Sequence, residues 1–134
     1  MNMINKYFAT LLIVTFTLSI NSCTEDDLTE GADYIQKYLG IWSVNGQAAR
    51  INYDVTIIAN PSNVSEIFIN NFANLGTSAS ALVVDNSIVI ELQYLGSDYT
   101  VSGTGIYVNS KKLEFSFELI NGIESESRIA LFSR

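Results

Sequence analysis

Lys112-Leu-Glu-Phe-Ser-Phe-Glu-Leu-Ile-Asn-Gly122 is the stretch that decides the fold. Leu113, Phe115, Phe117 and Leu119 alternate with Glu114, Ser116 and Glu118. That period of two sets the apolar side chains on one face of a strand and spreads them around a helix. Asn121-Gly122 closes the run with a pair that strongly favours a tight hairpin. A last strand over residues 123–132 follows at once and is expected to pair antiparallel with it.

Read outward from there, the chain repeats the pattern. Turn residues Asn109-Ser110 separate a strand at 99–108 from the quoted one. Asp85-Asn86 reads as a two-residue hairpin turn between 80–84 and 87–94. In the second of these, Ile88, Ile90, Leu92 and Tyr94 are expected to share a face. Asn60-Pro-Ser-Asn63 separates a strand at 51–58, with Ile51, Tyr53, Val55 and Ile57 on one side, from a less regular one at 64–72. Asn74-Leu-Gly-Thr77 breaks the chain again, and residues 41–44 supply a first strand. Residues 32–39 can form two helical turns with Ile35, Tyr38 and Leu39 together, stopped by Gly40.

About eight short antiparallel strands, with tight turns and no helix long enough for a crossover, mean a sandwich or a barrel. An up-and-down barrel is preferred, because closure removes the sticky edges of an open meander. The fold class read from the sequence is therefore all-β, a small antiparallel barrel preceded by a short helix. Gly103 and Gly105 lie on one face of their strand. They suit either a sharp barrel bend or tight packing against a bulky neighbour.

Composition narrows the function classes. The 134 residues are 48% hydrophobic and 16% charged, enough for one packed domain. All 14 acidic residues follow Cys23, against six of the seven basic ones, so that part carries about eight net negative charges and disfavours nucleic acid. Histidine is absent, which removes the commonest general base and metal ligand. Asp54, Glu66, Glu91 and Glu118 sit at water-facing positions of their strands. No set of residues recommends catalysis, a metal or a cofactor, and a binding protein rather than an enzyme is expected.

The N-terminal segment has its own logic. After Lys6 comes an apolar run at 9–20, too short to cross a bilayer core of roughly 30 Å but of signal-peptide length. It ends Ile20-Asn21-Ser22-Cys23, which resembles a lipobox: a branched apolar residue, a small residue, then the cysteine that receives the lipid. Asn21 departs from the usual small residue, a looseness found in lipoproteins of the Bacteroidetes type. The resemblance implies a signal peptide at 1–22, lipid attachment at Cys23 and a membrane as partner, with the acyl chains providing stable anchorage. Residues 23–33 read as an acidic tether. Within it Glu25-Asp26-Asp27 resembles the export signal of Bacteroidetes surface lipoproteins, which implies an outward-facing position on the outer membrane. Without that export the anchored domain faces the periplasm.

Residues 34–134 form the barrel domain. Tyr38-Leu39-Gly40-Ile41-Trp42, a helical turn leading into Gly-x-Trp, resembles the opening of the lipocalin-like barrels. In that family the tryptophan plugs one barrel end under a basic residue from near the end of the last strand. The resemblance implies Gly40, Trp42 and Arg128 as the plug, with Arg134 the other choice for the base. Strands of roughly seven to nine residues leave a smaller interior than a typical lipocalin has. A membrane-spanning barrel is excluded on length. Tyr53, Tyr94, Phe115 and Phe117 either line a ligand site or fill the core. Two functions stay open: a module binding a small apolar or amphipathic molecule in the barrel mouth, or a solid barrel that inhibits or assists another envelope protein. An enclosed cavity of roughly 300 Å³ favours the first. For the second, the irregular stretch at 60–77 is where a partner surface is sought.

Overall fold

The period-two runs become eight strands: β1 (Gly40–Gly46), β2 (Asn52–Asn60), β3 (Asn63–Asn70), β4 (Ala79–Val84), β5 (Ser87–Leu95), β6 (Tyr99–Asn109), β7 (Lys112–Asn121) and β8 (Glu124–Ser133). The computed structural model describes residues 34–46 and 51–134. Each strand pairs antiparallel with the next, and β1 pairs back onto β8 from Ser43↔Ser133 to Gly46↔Ala130, so the sheet closes into a barrel. Residues 34–36 form the helical turn ahead of β1. Cys23, Glu25, Asp26 and Asp27, and with them the signal peptide and tether, lie outside the described residues.

Strict up-and-down order sorts the connections to two ends. Residues 34–39, the β2–β3, β4–β5 and β6–β7 turns and Arg134 gather at one end. The β3–β4, β5–β6 and β7–β8 connections gather at the other, the mouth, with the end of β1 and the start of β2. Among the described residues, 23 buried apolar side chains form a single cluster running from Ile35 to Phe132, drawn from the strands, from the segment before β1 (Ile35, Tyr38) and from the β3–β4 connection (Phe72, Ala73).

Inward positions follow the alternation of β7, where Leu113, Phe115, Phe117 and Leu119 are all buried. Gly105 faces Phe115 and Gly103 faces Phe117 across the β6–β7 ladder. A Cβ on Gly105 would stand 2.5 Å from the Phe115 ring, and one on Gly103 2.5 Å from Phe117 Cβ. Gly105 thus makes room for the Phe115 ring and Gly103 for the close approach of β7 at Phe117, the tight-packing alternative of the two left open above. Ala79 and Ala81 on β4 are likewise small and buried.

One expected face is wrong. Ile88 and Ile90 point inward, but Leu92 is 71% and Tyr94 82% exposed, while Leu95 is fully buried. The β5–β6 register shifts between Ile90 and Gln93, a bulge whose extra residue reverses the inward–outward order after it. Tyr94 therefore lines no interior. The bulge also carries β5 away from β4, whose ladder with it covers only Leu82↔Val89 to Val84↔Ser87. Gln93 bridges the gap. Its Oε1 accepts from Ser80 N–H at 2.8 Å and its Nε2 donates to Ser80 C=O at 2.8 Å, so a side-chain amide stands in for a missing strand pair. At the last hairpin the turn residues are Gly122 and Ile123, one place later than Asn121-Gly122, because Asn121 still pairs with Glu124 and Gly122 takes the positive φ of +62°.

Candidate functional site

The two ends of the barrel are closed differently. At the Trp42 end the indole is fully buried and its Nε1–H donates to Tyr38 C=O at 2.7 Å. The guanidinium of Arg134 lies 4.1 Å above the indole centroid. Arg134 also donates to the carbonyls of Leu39, Lys37 and Ser110. Gly40, at φ +115°, turns the chain beneath it, and a Cβ there would come within 3.5 Å of Arg134 Nη1. Lys37 lies 4.6 Å from the Tyr107 ring centroid and hydrogen-bonds Asn86. Tyr38 O–H donates to Asp85 C=O, and burial pushes its phenol up to about 12.

Arg128 is thus not the base of the plug; Arg134 is. Ser43 pairs with Ser133, which puts Trp42 level with residue 134. Arg128 sits six residues up β8, roughly 20 Å away at 3.3 Å per residue. It shares the inward parity of Ala130 and Phe132 and pairs across the ladder with buried Phe117. A charged side chain accordingly turns into the mouth of the barrel.

Around it lies the candidate site. A hollow of about 200 Å³, open to solvent on one side, is lined by Tyr53, Ala73, Leu75, Phe117, Arg128 and Ala130 among others. A second, more polar hollow of about 340 Å³ includes Tyr99, Leu119 and Glu126. The ion pair between Arg128 Nη2 and Glu126 Oε2, at 2.9 Å, stands between the two. That hydrogen bond holds the Glu126 carboxyl below the usual carboxylate range and raises the Arg128 pKa. Burial raises the Tyr53 phenol, an effect that the Arg128 charge opposes. Arg128 Nε is buried and has no hydrogen-bond partner among the described residues. A fixed cation beside an apolar floor and two phenols can hold an anionic group while a small apolar moiety packs beneath it.

The mouth is roofed by the β3–β4 connection, which carries a short turn at Phe72–Asn74. Phe72 is 1% exposed and packs 4.8 Å from Phe117 and 6.3 Å from Phe115, measured between ring centroids. Phe115 lies deeper, 4.4 Å from Phe132, with no exposure at all. Of the four residues expected to line a ligand site, the structure brings Tyr53 and Phe117 to the mouth, puts Phe115 in the solid core and turns Tyr94 outward. Sequence reasoning missed the roof. The signal for it was a lone Phe72 among Asn, Gly and Thr, where a solvent loop has little use for an aromatic ring.

Among the described residues no cluster of three His, Cys, Asp or Glu could hold a metal, and no helix is long and apolar enough to cross a membrane. No family model, no curated protein and no solved structure matches the chain.

Proposed function

We propose that this is a lipid-anchored envelope protein, akin to the lipocalin-like barrels, whose mouth binds a small amphipathic anion. The observation that carries the reading is Arg128. It turns a part-buried cation, paired with Glu126, to the mouth beside apolar side chains, and leaves its Nε without a hydrogen-bond partner among the described residues. A hollow of about 200 Å³ suits a molecule of few heavy atoms, a short acid rather than a long lipid. The role is binding, and no residue is assigned to catalysis. The anchor rests on Cys23 and its preceding apolar run, and the outward orientation on Glu25-Asp26-Asp27.

A second reading keeps support from the packing. Trp42, Phe72, Phe115 and Phe132 fill the body of the barrel, as a protein that works through its outer surface requires. Tyr94, Leu92 and Ile123 stand exposed on the outside of the barrel or at its mouth-end turns.

Native mass spectrometry of residues 24–134 purified from the original host separates the two. A co-purifying small acid lost in Arg128→Gln supports the mouth, whereas a protein partner retained in Arg128→Gln supports the outer surface. Fatty-acid labelling of the full chain and of Cys23→Ala tests the anchor, and an unlabelled wild type ends that part of the reading.

A further inference from the structure

We propose that Phe72 is a displaceable stopper over a deeper compartment of the mouth, and that the ligand is an acid whose aromatic ring or short alkyl tail takes the place of the Phe72 ring while Arg128 holds its anionic head. The proposal rests on the mouth reading above and specifies what enters it.

Phe72 comes from a loop, unlike the other large side chains that fill the barrel beneath the mouth. That loop is bonded mostly to itself. Phe72 N–H donates to Thr77 C=O, Asn74 N–H to Asn71 C=O, Leu75 N–H to Phe72 C=O, and Gly76 N–H to Asn71 Oδ1. Among the described residues a single hydrogen bond reaches from residues 71–77 to another strand, from Asn71 Nδ2 to Asp54 C=O at 2.9 Å. The loop can therefore lift as one piece, giving up that bond and the packing of Phe72, Ala73 and Leu75, while β3 and β4 stay in place. Its backbone is also held in an uncommon conformation. Asn71, Ala73 and Asn74 have φ of 60°, 55° and 61°, and the alanine has no side-chain reason to adopt it. Conformations of this kind gather at ligand clamps and switching segments. The contrast with the opposite end is sharp, since the Trp42 plug is bonded by Arg134 to three separate carbonyls.

The sizes agree with the assignment. Removing one large side chain from a packed interior opens on the order of 150 Å³, room for a benzene ring. The hollow of about 200 Å³ beside it is walled in part by Ala73 and Leu75 of the same loop, so lifting the loop opens both spaces together. The space vacated by Phe72 is walled by Phe115 and Phe117, an aromatic lining suited to a ring, and it adjoins Arg128 through Phe117, the partner of that residue in the ladder.

Calorimetric titration of residues 24–134 with 3-phenylpropionate tests the proposal. Phe72→Ala is expected to bind about tenfold more tightly than wild type, and adding Arg128→Gln to it to remove about tenfold, the size of one charge-assisted hydrogen bond. Phe72→Leu, which keeps more of the packing, should fall between wild type and Phe72→Ala. In wild type, saturating ligand should speed hydrogen exchange at the Leu75 and Gly76 amides and leave β6 and β7 protected. Equal affinity in wild type, Phe72→Leu and Phe72→Ala, each weakened by Arg128→Gln, overturns the stopper and leaves the mouth reading standing. No binding by any of them up to millimolar ligand overturns both.

Discussion

Arg134 lies across Trp42 with its guanidinium carbon 4.1 Å from the indole centroid, and the same group donates to the carbonyls of Lys37, Leu39 and Ser110. One residue after the last strand thus ties together the helical turn before β1, the ring that closes the barrel and the β6–β7 turn. The side chain is exposed at its edge, so its value comes from several charge-assisted bonds made at once rather than from burial.

Arg134→Gln is therefore expected to destabilise the barrel by about 2 kcal/mol, combining a cation–π contact with bonds to otherwise open carbonyls. Arg128→Gln, which breaks one partly exposed ion pair, should cost under about 1 kcal/mol. Urea denaturation followed through Trp42 fluorescence measures both. Equal losses in the two variants would contradict the assignment of the plug.

Gln93 holds the Ser80 N–H and C=O at the point where β5 leaves β4. Gln93→Ala should cost about 1–2 kcal/mol, because both partly buried backbone groups lose their partner. Gln93→Glu preserves the acceptor for Ser80 N–H but sets a carboxylate against Ser80 C=O, so it should be no better than alanine. Amide exchange at Ser80, faster in Gln93→Ala than in wild type while that at Val89 is unchanged, locates the effect at the gap.

Tyr38 predicts the alkaline limit. Its phenol is raised to about 12 by burial, with smaller contributions from Tyr107 and Asp85. A pKa raised in the folded state favours the neutral form there. The stability it contributes is complete below the unfolded value near 10 and is lost as pH climbs through about 12. Wild type should lose melting temperature across that window more steeply than Tyr38→Phe, which starts lower for want of the bond to Asp85 C=O. Parallel curves for the two proteins would show that Tyr38 ionises as freely folded as unfolded.

Much of this architecture was legible because alternation survives wherever a strand keeps its pleat. β7 was read residue by residue from Leu113 to Leu119, and the eight strands and their order followed from turn residues. What failed was what alternation cannot carry. The bulge in β5 leaves Glu91, Leu92, Gln93 and Tyr94 still alternating in polarity, so the reversal that exposes Tyr94 has no mark in the sequence. Arg128 and Arg134 have the same parity, and only the β1–β8 register says which lies level with Trp42. The roof over the mouth failed for a third reason. The polarity pattern runs β3 on to Phe72, although Asn71 already has a left-handed φ and the strand stops at Asn70. The site was consequently half visible: Tyr53 and Phe117 were named, while Arg128 was named for the wrong end of the barrel.

Glu126 occupies the cation that an anionic ligand needs, and this makes binding depend on pH in a stated direction. Arg128 stays charged throughout, and the Tyr53 phenol, raised by burial, is neutral in acid. Glu126 is then the group on the ion pair that titrates, and its hydrogen bond with Arg128 moves that titration below the ordinary carboxylate pKa of about 4.3. A folded pKa lowered in this way gives stability that is present above the unfolded value and lost as pH falls through the folded one. Protonating Glu126 weakens the pair and frees Arg128 for another anion. Benzenesulfonate, which stays ionised, should therefore bind a few-fold more tightly as pH falls from neutrality through the lowered pKa of Glu126. In Glu126→Gln the affinity should be high at pH 7 and nearly flat across the range, while Arg128→Gln should bind weakly at every pH. A wild-type affinity that does not move with pH, or a Glu126→Gln variant no tighter than wild type at neutrality, would show that the guanidinium at the mouth serves its carboxylate neighbour alone.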